Sequence, residues 1–405
     1  MFNILSKTKT KTKTCLVRLS GDDNLILDAK AALLGTNKSA LLRDGAFTFW
    51  SKSKDNHSAQ LLKLYKDGDE RQKSLIVDLI FEHYRRHGYP YAKLSSHDLI
   101  EEIKRISKTK NPLLENNNLQ TNTIGLKAAN HFHPHMVKVR CLSRYKSPWE
   151  LYNDDIAFKD AINRWMEIGH KPNPAGIRRI LRSRDGTRSV VNFKPAIAKY
   201  FYDNYVPIGG EILDPCAGYG GRLIGCIASN RKLNYFGIDP HGPTAVGNMK
   251  MASFYGSQYD SFQNREWKFS FSFELGCAED VMLKLPSDKY DLVFSSPPYF
   301  RVEQYSNLPD QSWIRHGSTY EKWKNDFLFV VLRESCRVVK SGGYVIYNMK
   351  NYKKTPIADD LVGFLKQSGL KHIKDYAMRM SNSEYRRGSN FEQKWHTEPI
   401  FVFQK

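Results

Sequence analysis

The sequence predicts an α/β fold, a mostly parallel sheet with helices on both faces, preceded by a mainly α-helical N-terminal domain. Two observations carry this. From about residue 190, short apolar strands alternate with loops and helical stretches, the pattern of βαβ units. Before about residue 170, apolar residues recur at helical spacing instead.

The N-terminal part comes first. Residues 7–14 read KTKTKTKT, alternating Lys and Thr with no apolar face, so residues 1–20 are expected to form a disordered basic tail. Leu75, Ile76, Leu79, Ile80 and Tyr84 form one helical face, and Ser96 is positioned to cap a second helix carrying Leu99, Ile100 and Ile103. Between them lies Tyr84-Arg85-Arg86-His87-Gly88-Tyr89-Pro90-Tyr91. Its mixture of cations and rings suits phosphate contact and base stacking, or equally an ordinary solvated turn. Residues 108–125 are Asn-rich and read as a linker. His131, His133 and His135 alternate, but Pro134 interrupts them and no carboxylate or cysteine completes a set, so no metal site is expected. Helices are expected over roughly 154–167 and 174–183. The N-terminal domain is placed at 21–170 and the sheet domain at 171–405.

In the sheet domain, ILDP, YFGIDP, YDLVFSSPP and GYVIYNM read as strands. KDYAMRM and EPIFVFQK, joined by a long polar loop, suggest an antiparallel edge. Three strand ends carry ligand-type chemistry. After Asp214 comes Pro215-Cys216-Ala217-Gly218-Tyr219-Gly220-Gly221, a glycine-rich turn that lets backbone approach a ligand. Its spacing is not the G-x-G-x-x-G that favours pyrophosphate. Asp239 ends the next strand, where an acid accepts hydrogen bonds from ribose hydroxyls. Ser296-Pro297-Pro298-Tyr299-Phe300 ends a third. Two prolines cannot continue a central strand; they stiffen the turn and leave carbonyls free as acceptors.

Composition sets limits. The 405 residues include 41% hydrophobic and 13% aromatic residues, enough for a packed core. No apolar run approaches the roughly 20 residues of a membrane helix, and no signal peptide opens the chain, so a soluble cytoplasmic protein is expected. The six cysteines lie far apart and none forms a C-x-x-C pair, so neither a zinc site nor a disulfide framework is suggested. A formal net charge of +20, spread over both halves, points to a polyanionic partner.

DPCAGYGG followed by SSPPYF resembles the paired signature of amino-methyltransferases that act on cytosine N4 or adenine N6 in DNA. The stretch from about 188 to 405 is similar to DNA methylases of the kind bacteriophages encode and restriction-modification systems use. The resemblance implies a Rossmann-like class I methyltransferase with a seven-stranded sheet, the last strand antiparallel, and S-adenosyl-L-methionine as cofactor. Phe193, Lys194 and Pro195 would flank its methionine part. Asp214, Gly218 and Gly220 would lie against it, and Asp239 would hold its ribose. Cys277 stands where the family has an acid, a role that the resemblance passes to Glu279, Asp280 or backbone.

The resemblance further implies that Ser296 and the Pro297 carbonyl accept the two N–H bonds of the target amine. Pro298 stiffens the turn and Tyr299 stacks on a flipped base. Phe300, Tyr305, Trp313 and Arg315 are expected to contact substrate, as are Arg386 and Arg387. DNA is the expected partner, RNA less so. Serine before Pro-Pro-Tyr favours cytosine N4 over adenine N6. Methylation of guanine N2 in RNA is one alternative, and a nucleic-acid-binding protein with an inactive methyltransferase fold is another.

Overall fold

The computed structural model describes residues 28–29, 31–32, 56–184, 186–229, 231–258, 269–317, 319–353, 355–380 and 396–405. The expected basic tail, residues 1–20, lies outside them. The chain divides into two compact units. One comprises residues 1–88 and 159–177, the other residues 89–158 and 178–405. Residues 89–158, grouped with the N-terminal helices from sequence, thus belong to the unit that carries the sheet.

The described residues of the first unit are mainly helical. Asp69 accepts from the Gln72 backbone N–H at 2.8 Å, and the Gln72 side chain accepts from the Asp69 N–H at 3.0 Å. This capping box starts the helix Glu70–His87. The helix buries Ile76, Val77, Ile80 and Tyr84, while the expected Leu75 and Leu79 are only half-buried, so the inner face is rotated from the one read in the sequence.

In the second unit, ten strands are described: β1 Asn118–Leu119, β2 Arg140–Cys141, β3 Glu211–Asp214, β4 Asn234–Asp239, β5 Ser270–Leu275, β6 Tyr290–Ser295, β7 Glu303–Gln304, β8 Val339–Asn348, β9 Lys371–Met380 and β10 His396–Gln404. Eight form one sheet in the order β1-β9-β10-β8-β6-β3-β4-β5. β10 is antiparallel to both β8 and β9, and the other pairs are parallel. The expected Rossmann-like architecture is therefore present: the seven expected strands are mostly parallel, with an antiparallel last strand. Two details differ. β10 is not an edge, because it inserts between β8 and β9. The expected linker also supplies an eighth strand, β1, which pairs with β9 and is fastened by a 2.6 Å hydrogen bond from Thr121 Oγ1 to the Arg379 carbonyl. β5 carries no sequence expectation of its own; it is an edge strand whose residues are half-buried or exposed. β2 and β7 form a separate small antiparallel pair.

The middles of the central strands β3, β6 and β8 are mostly apolar because both of their faces are covered. Successive side chains point to opposite faces. Ile212, Leu292, Phe294 and Ile346 enter one core cluster, with Phe201, Leu223 and Met251 from the covering helices. Leu213, Val293, Val345 and Tyr347 enter the other, with Val331, Leu332 and Leu361. The first cluster also holds Leu99, Ile103 and Ile106 from the helix Ser96–Ser107, along with Leu119, Ala128 and Ala129. That helix is capped by Ser95, one residue before the expected Ser96, through a capping box with Asp98.

Candidate active site

β3 has β4 on one side and β6 on the other, so strand order reverses there. A crevice opens at the carboxyl ends of strands at such a switch point. The three strand ends singled out in the sequence, after β3, β4 and β6, all meet here, at a cavity of about 230 Å³.

The floor beneath the glycine turn is a closed polar network. Asp214 is fully buried and does not line the cavity. Its Oδ2 accepts from Arg222 Nε at 2.6 Å and from the Tyr235 hydroxyl at 2.6 Å. Its Oδ1 accepts from Arg222 at 3.1 Å and from Ser295 Oγ at 2.8 Å. The Cys216 N–H donates to Ser295 Oγ at 3.1 Å, and Arg222 also donates to the Cys216 carbonyl. Asp214, expected to meet a ligand, instead anchors the turn: every direction around its carboxylate already holds a donor.

From above, Asn192 clamps the same turn. Its amide donates to the Tyr219 carbonyl at 2.7 Å, and its oxygen accepts from the Gly221 N–H at 3.1 Å. A side chain on Gly221 would collide with the Phe193 carbonyl and Asn192 Oδ1. Gly220, at φ 74°, caps the helix Gly221–Ile227. A Cβ there would meet Met251, Asn248 and His133, so Gly220 serves close packing and does not line the cavity. Gly218 does line it. At φ 56° it takes a conformation that favours glycine, and a Cβ there would have only the Cys216 carbonyl within 4 Å, at 3.8 Å.

Asp239 sits at the wall. Its Oδ2 accepts from the Gly218 N–H at 2.9 Å and its Oδ1 from the His241 N–H at 3.0 Å. Each oxygen keeps a lone pair for a further donor. Burial pushes its carboxyl up to about 6, against these two backbone donors. Phe193 and Lys194 line the cavity, while Pro195 instead begins the helix Pro195–Tyr205. Lys194 is buried, and desolvation lowers its pKa from the usual lysine range. Glu279 lines the cavity with Cys277 and is held by His316 at 2.5 Å. Arg315, expected on substrate, pairs instead with Asp280 at 2.7 Å and Glu279 at 3.3 Å. Asp280 does not reach the cavity.

Ser296, Pro297, Pro298 and Tyr299 all line it. Ser296 Oγ donates to Asn348 Oδ1 at 3.3 Å, and Asn348 Nδ2 donates to the Pro399 carbonyl at 2.9 Å. With its proton directed to Asn348, the serine oxygen presents lone pairs as an acceptor. Asn348, at the end of β8, is a part of the site that sequence reasoning missed. Tyr305 lines the cavity beside Tyr219, their ring centroids 6.2 Å apart. Phe300 and Trp313 do not line it. Phe300, at φ 53°, turns into the core against Trp323 and Tyr320, and Trp313 lies under the Arg301 guanidinium. Arg386 and Arg387 lie outside the described residues.

The alternating histidines lie behind the glycine turn. His133 Nδ1 bonds the Ala129 carbonyl at 2.8 Å, and His135 Nε2 bonds Thr244 Oγ1 at 3.1 Å. Burial lowers His133 to about 4 and His135 to about 3, which makes them neutral packing groups at ordinary pH. No helix among the described residues is long and apolar enough to cross a membrane.

No protein-family model and no curated protein sequence matches the chain. Several solved structures resemble it. One is the TehB-like SAM-dependent methyltransferase of Corynebacterium glutamicum, with 14% identity over 53% of this chain and 89% of that one and a TM-score of 0.31. Another is TrmN from Thermus thermophilus, with 16% identity over 52% of this chain and 48% of that one and a TM-score of 0.31. A third, also from Thermus thermophilus, is designated a candidate DNA modification methylase; it shares 21% identity over 32% of this chain and 50% of that one, with a TM-score of 0.23.

Proposed function

We propose that the chain is an S-adenosyl-L-methionine-dependent methyltransferase acting on the exocyclic amino group of a nucleic-acid base. The substrate we favour is DNA, with cytosine N4 ahead of adenine N6. One observation carries the reading: Ser296-Pro297-Pro298-Tyr299 lines the same cavity as Gly218 and Asp239. A cofactor cradle and an amine-gripping turn thus share one space. The net charge of +20 supports a polyanionic substrate.

The residues fit the cofactor. Asp239 offers acceptor lone pairs for a ribose diol, and Lys194 places a cation among the lining residues for a carboxylate. Gly218 brings backbone with no side chain to the cavity wall. When bound, the cofactor supplies an electrophilic methyl group. The protein's task is then to make a conjugated amine nucleophilic. Ser296 Oγ and the Pro297 carbonyl accept its two N–H bonds and draw the nitrogen toward sp³ geometry. Tyr299 offers a ring face for an extruded base to stack on. Much of the rate comes from this positioning.

The test is incubation with methyl-labelled cofactor and either DNA or RNA, followed by hydrolysis and identification of the labelled nucleoside. N4-methylcytosine is expected. Label on guanine N2 of RNA would move the substrate class, and label in neither nucleic acid would overturn the proposal.

A further inference from the structure

We propose that Glu303 is the proton acceptor of this reaction, taking the proton that the amino nitrogen releases on methylation. The inference rests on the methyltransferase reading above. It starts from the carboxylates that line the cavity, most of which are engaged. Asp239 accepts two backbone N–H groups, and Glu279 is held by His316 and Arg315. Glu398 pairs with Lys350 at 2.6 Å, and Asp310 accepts from Ser306 Oγ at 3.2 Å. Glu303 differs: its Oε2 is buried and has no hydrogen-bond partner.

Its position follows from the chain path. After the Pro-Pro-Tyr turn, the Val302 N–H donates to the Tyr299 carbonyl at 3.0 Å, bending the backbone back. β7 then pairs with β2, Glu303 opposite Cys141, and this pairing fixes the acid beside the catalytic turn. The carboxyl stands among Tyr299, Tyr305, Tyr219 and Cys141, each of whose ionisation its charge opposes. Burial pushes Glu303 up to about 7; the Tyr299 backbone and Lys350 oppose the rise, and Glu398 adds to it. An acceptor with a pKa close to the working pH is well matched to proton transfer.

The step balances. The nitrogen lone pair forms the N–CH₃ bond while the cofactor's S–CH₃ bond breaks, its electron pair staying on sulfur. The nitrogen is then cationic. One of the two N–H bonds leaves its Ser296 or Pro297 acceptor and breaks, its electrons return to nitrogen, and the proton passes to Glu303 Oε2.

Single-turnover methyl transfer on DNA, from about pH 5.5 to about pH 9, compares the wild type with Glu303→Gln and Glu303→Asp. The wild-type rate is expected to rise with pH through a midpoint near 7. Glu303→Gln should run roughly 10²-fold slower with that limb gone, and Glu303→Asp should recover part of the rate. Calorimetric affinity for the cofactor should be unchanged in both variants, which shows that they fold. Carboxyl ¹³C spectra of the cofactor-free protein should contain one glutamate signal titrating near 7 that Glu303→Gln removes. A Glu303→Gln enzyme at wild-type rate, or one that keeps the same pH limb, overturns the role of Glu303 alone. A wild type that binds cofactor and methylates nothing overturns the methyltransferase reading itself.

Discussion

Replacing Arg222 by Met would strip the floor of the site of its one cation. Arg222 and Asp214 are both buried, and the pair makes a two-pronged contact at 2.6 and 3.1 Å. Without the guanidinium, Asp214 keeps only the hydroxyls of Tyr235 and Ser295, and the Cys216 carbonyl loses a donor. Breaking a buried ion pair by removing one partner costs about 3–5 kcal/mol, because a charge remains desolvated and uncompensated. That is a large share of the roughly 5–15 kcal/mol by which a domain is stable. Neutralising the remaining partner as well, in Arg222→Met with Asp214→Asn, should recover a substantial part of the loss. Urea unfolding of the two variants and the wild type, read at equal m-value, measures both quantities. If the single variant loses under about 1 kcal/mol, or the double variant is no more stable than the single, the network is not held by charge compensation and this reasoning is wrong.

Further outcomes follow from the site. Tyr299→Ala should abolish most methyl transfer and leave cofactor affinity by calorimetry nearly intact; equal loss of both would reject the stacking role. Asn348→Ala frees the Ser296 hydroxyl from its 3.3 Å partner, so turnover should fall at least about tenfold with little change in cofactor affinity. Cofactor affinity should weaken as pH drops through about 6, because Asp239 is an acceptor when ionised and loses acceptor capacity on protonation. In Asp239→Asn the affinity should be weak and flat over that range, and a wild type with pH-independent affinity would contradict the assignment. The raised Asp239 pKa has the opposite sign for folding: its contribution to stability is fully present below the unfolded value and is lost as pH rises through about 6.

The sheet and its three strand-end turns were legible because they depend on local pattern. Apolar strands such as YDLVFS, glycines at positive φ and a double proline all declare themselves over a few residues. What stayed hidden depends on distance in the chain. Asp214 looked like a ligand residue, since its donors Tyr235 and Ser295 lie 21 and 81 positions away. Arg315 read as a substrate contact because nothing in the sequence brings it to Asp280. Asn348 and Glu303 carry no local signal: one matters through Ser296, the other through a two-residue strand pair. β1 was hidden for a similar reason, because two residues in an Asn-rich stretch become a strand only when β9 offers its edge.

The helix Ser96–Ser107 and the short strand β1 bear on whether residues 171–405 can stand alone. Cutting the chain there would uncover the outer edge of β9 and remove Leu99, Ile103, Ile106 and Leu119 from the first core cluster. Four such side chains at about 1.5–3 kcal/mol each amount to on the order of 6–12 kcal/mol, as much as a whole domain's net stability. The bare edge would also be a template for pairing with other chains. A fragment trimmed to the recognisable motifs is therefore a route to aggregates, and the smallest autonomous form of the sheet unit has to begin well before them.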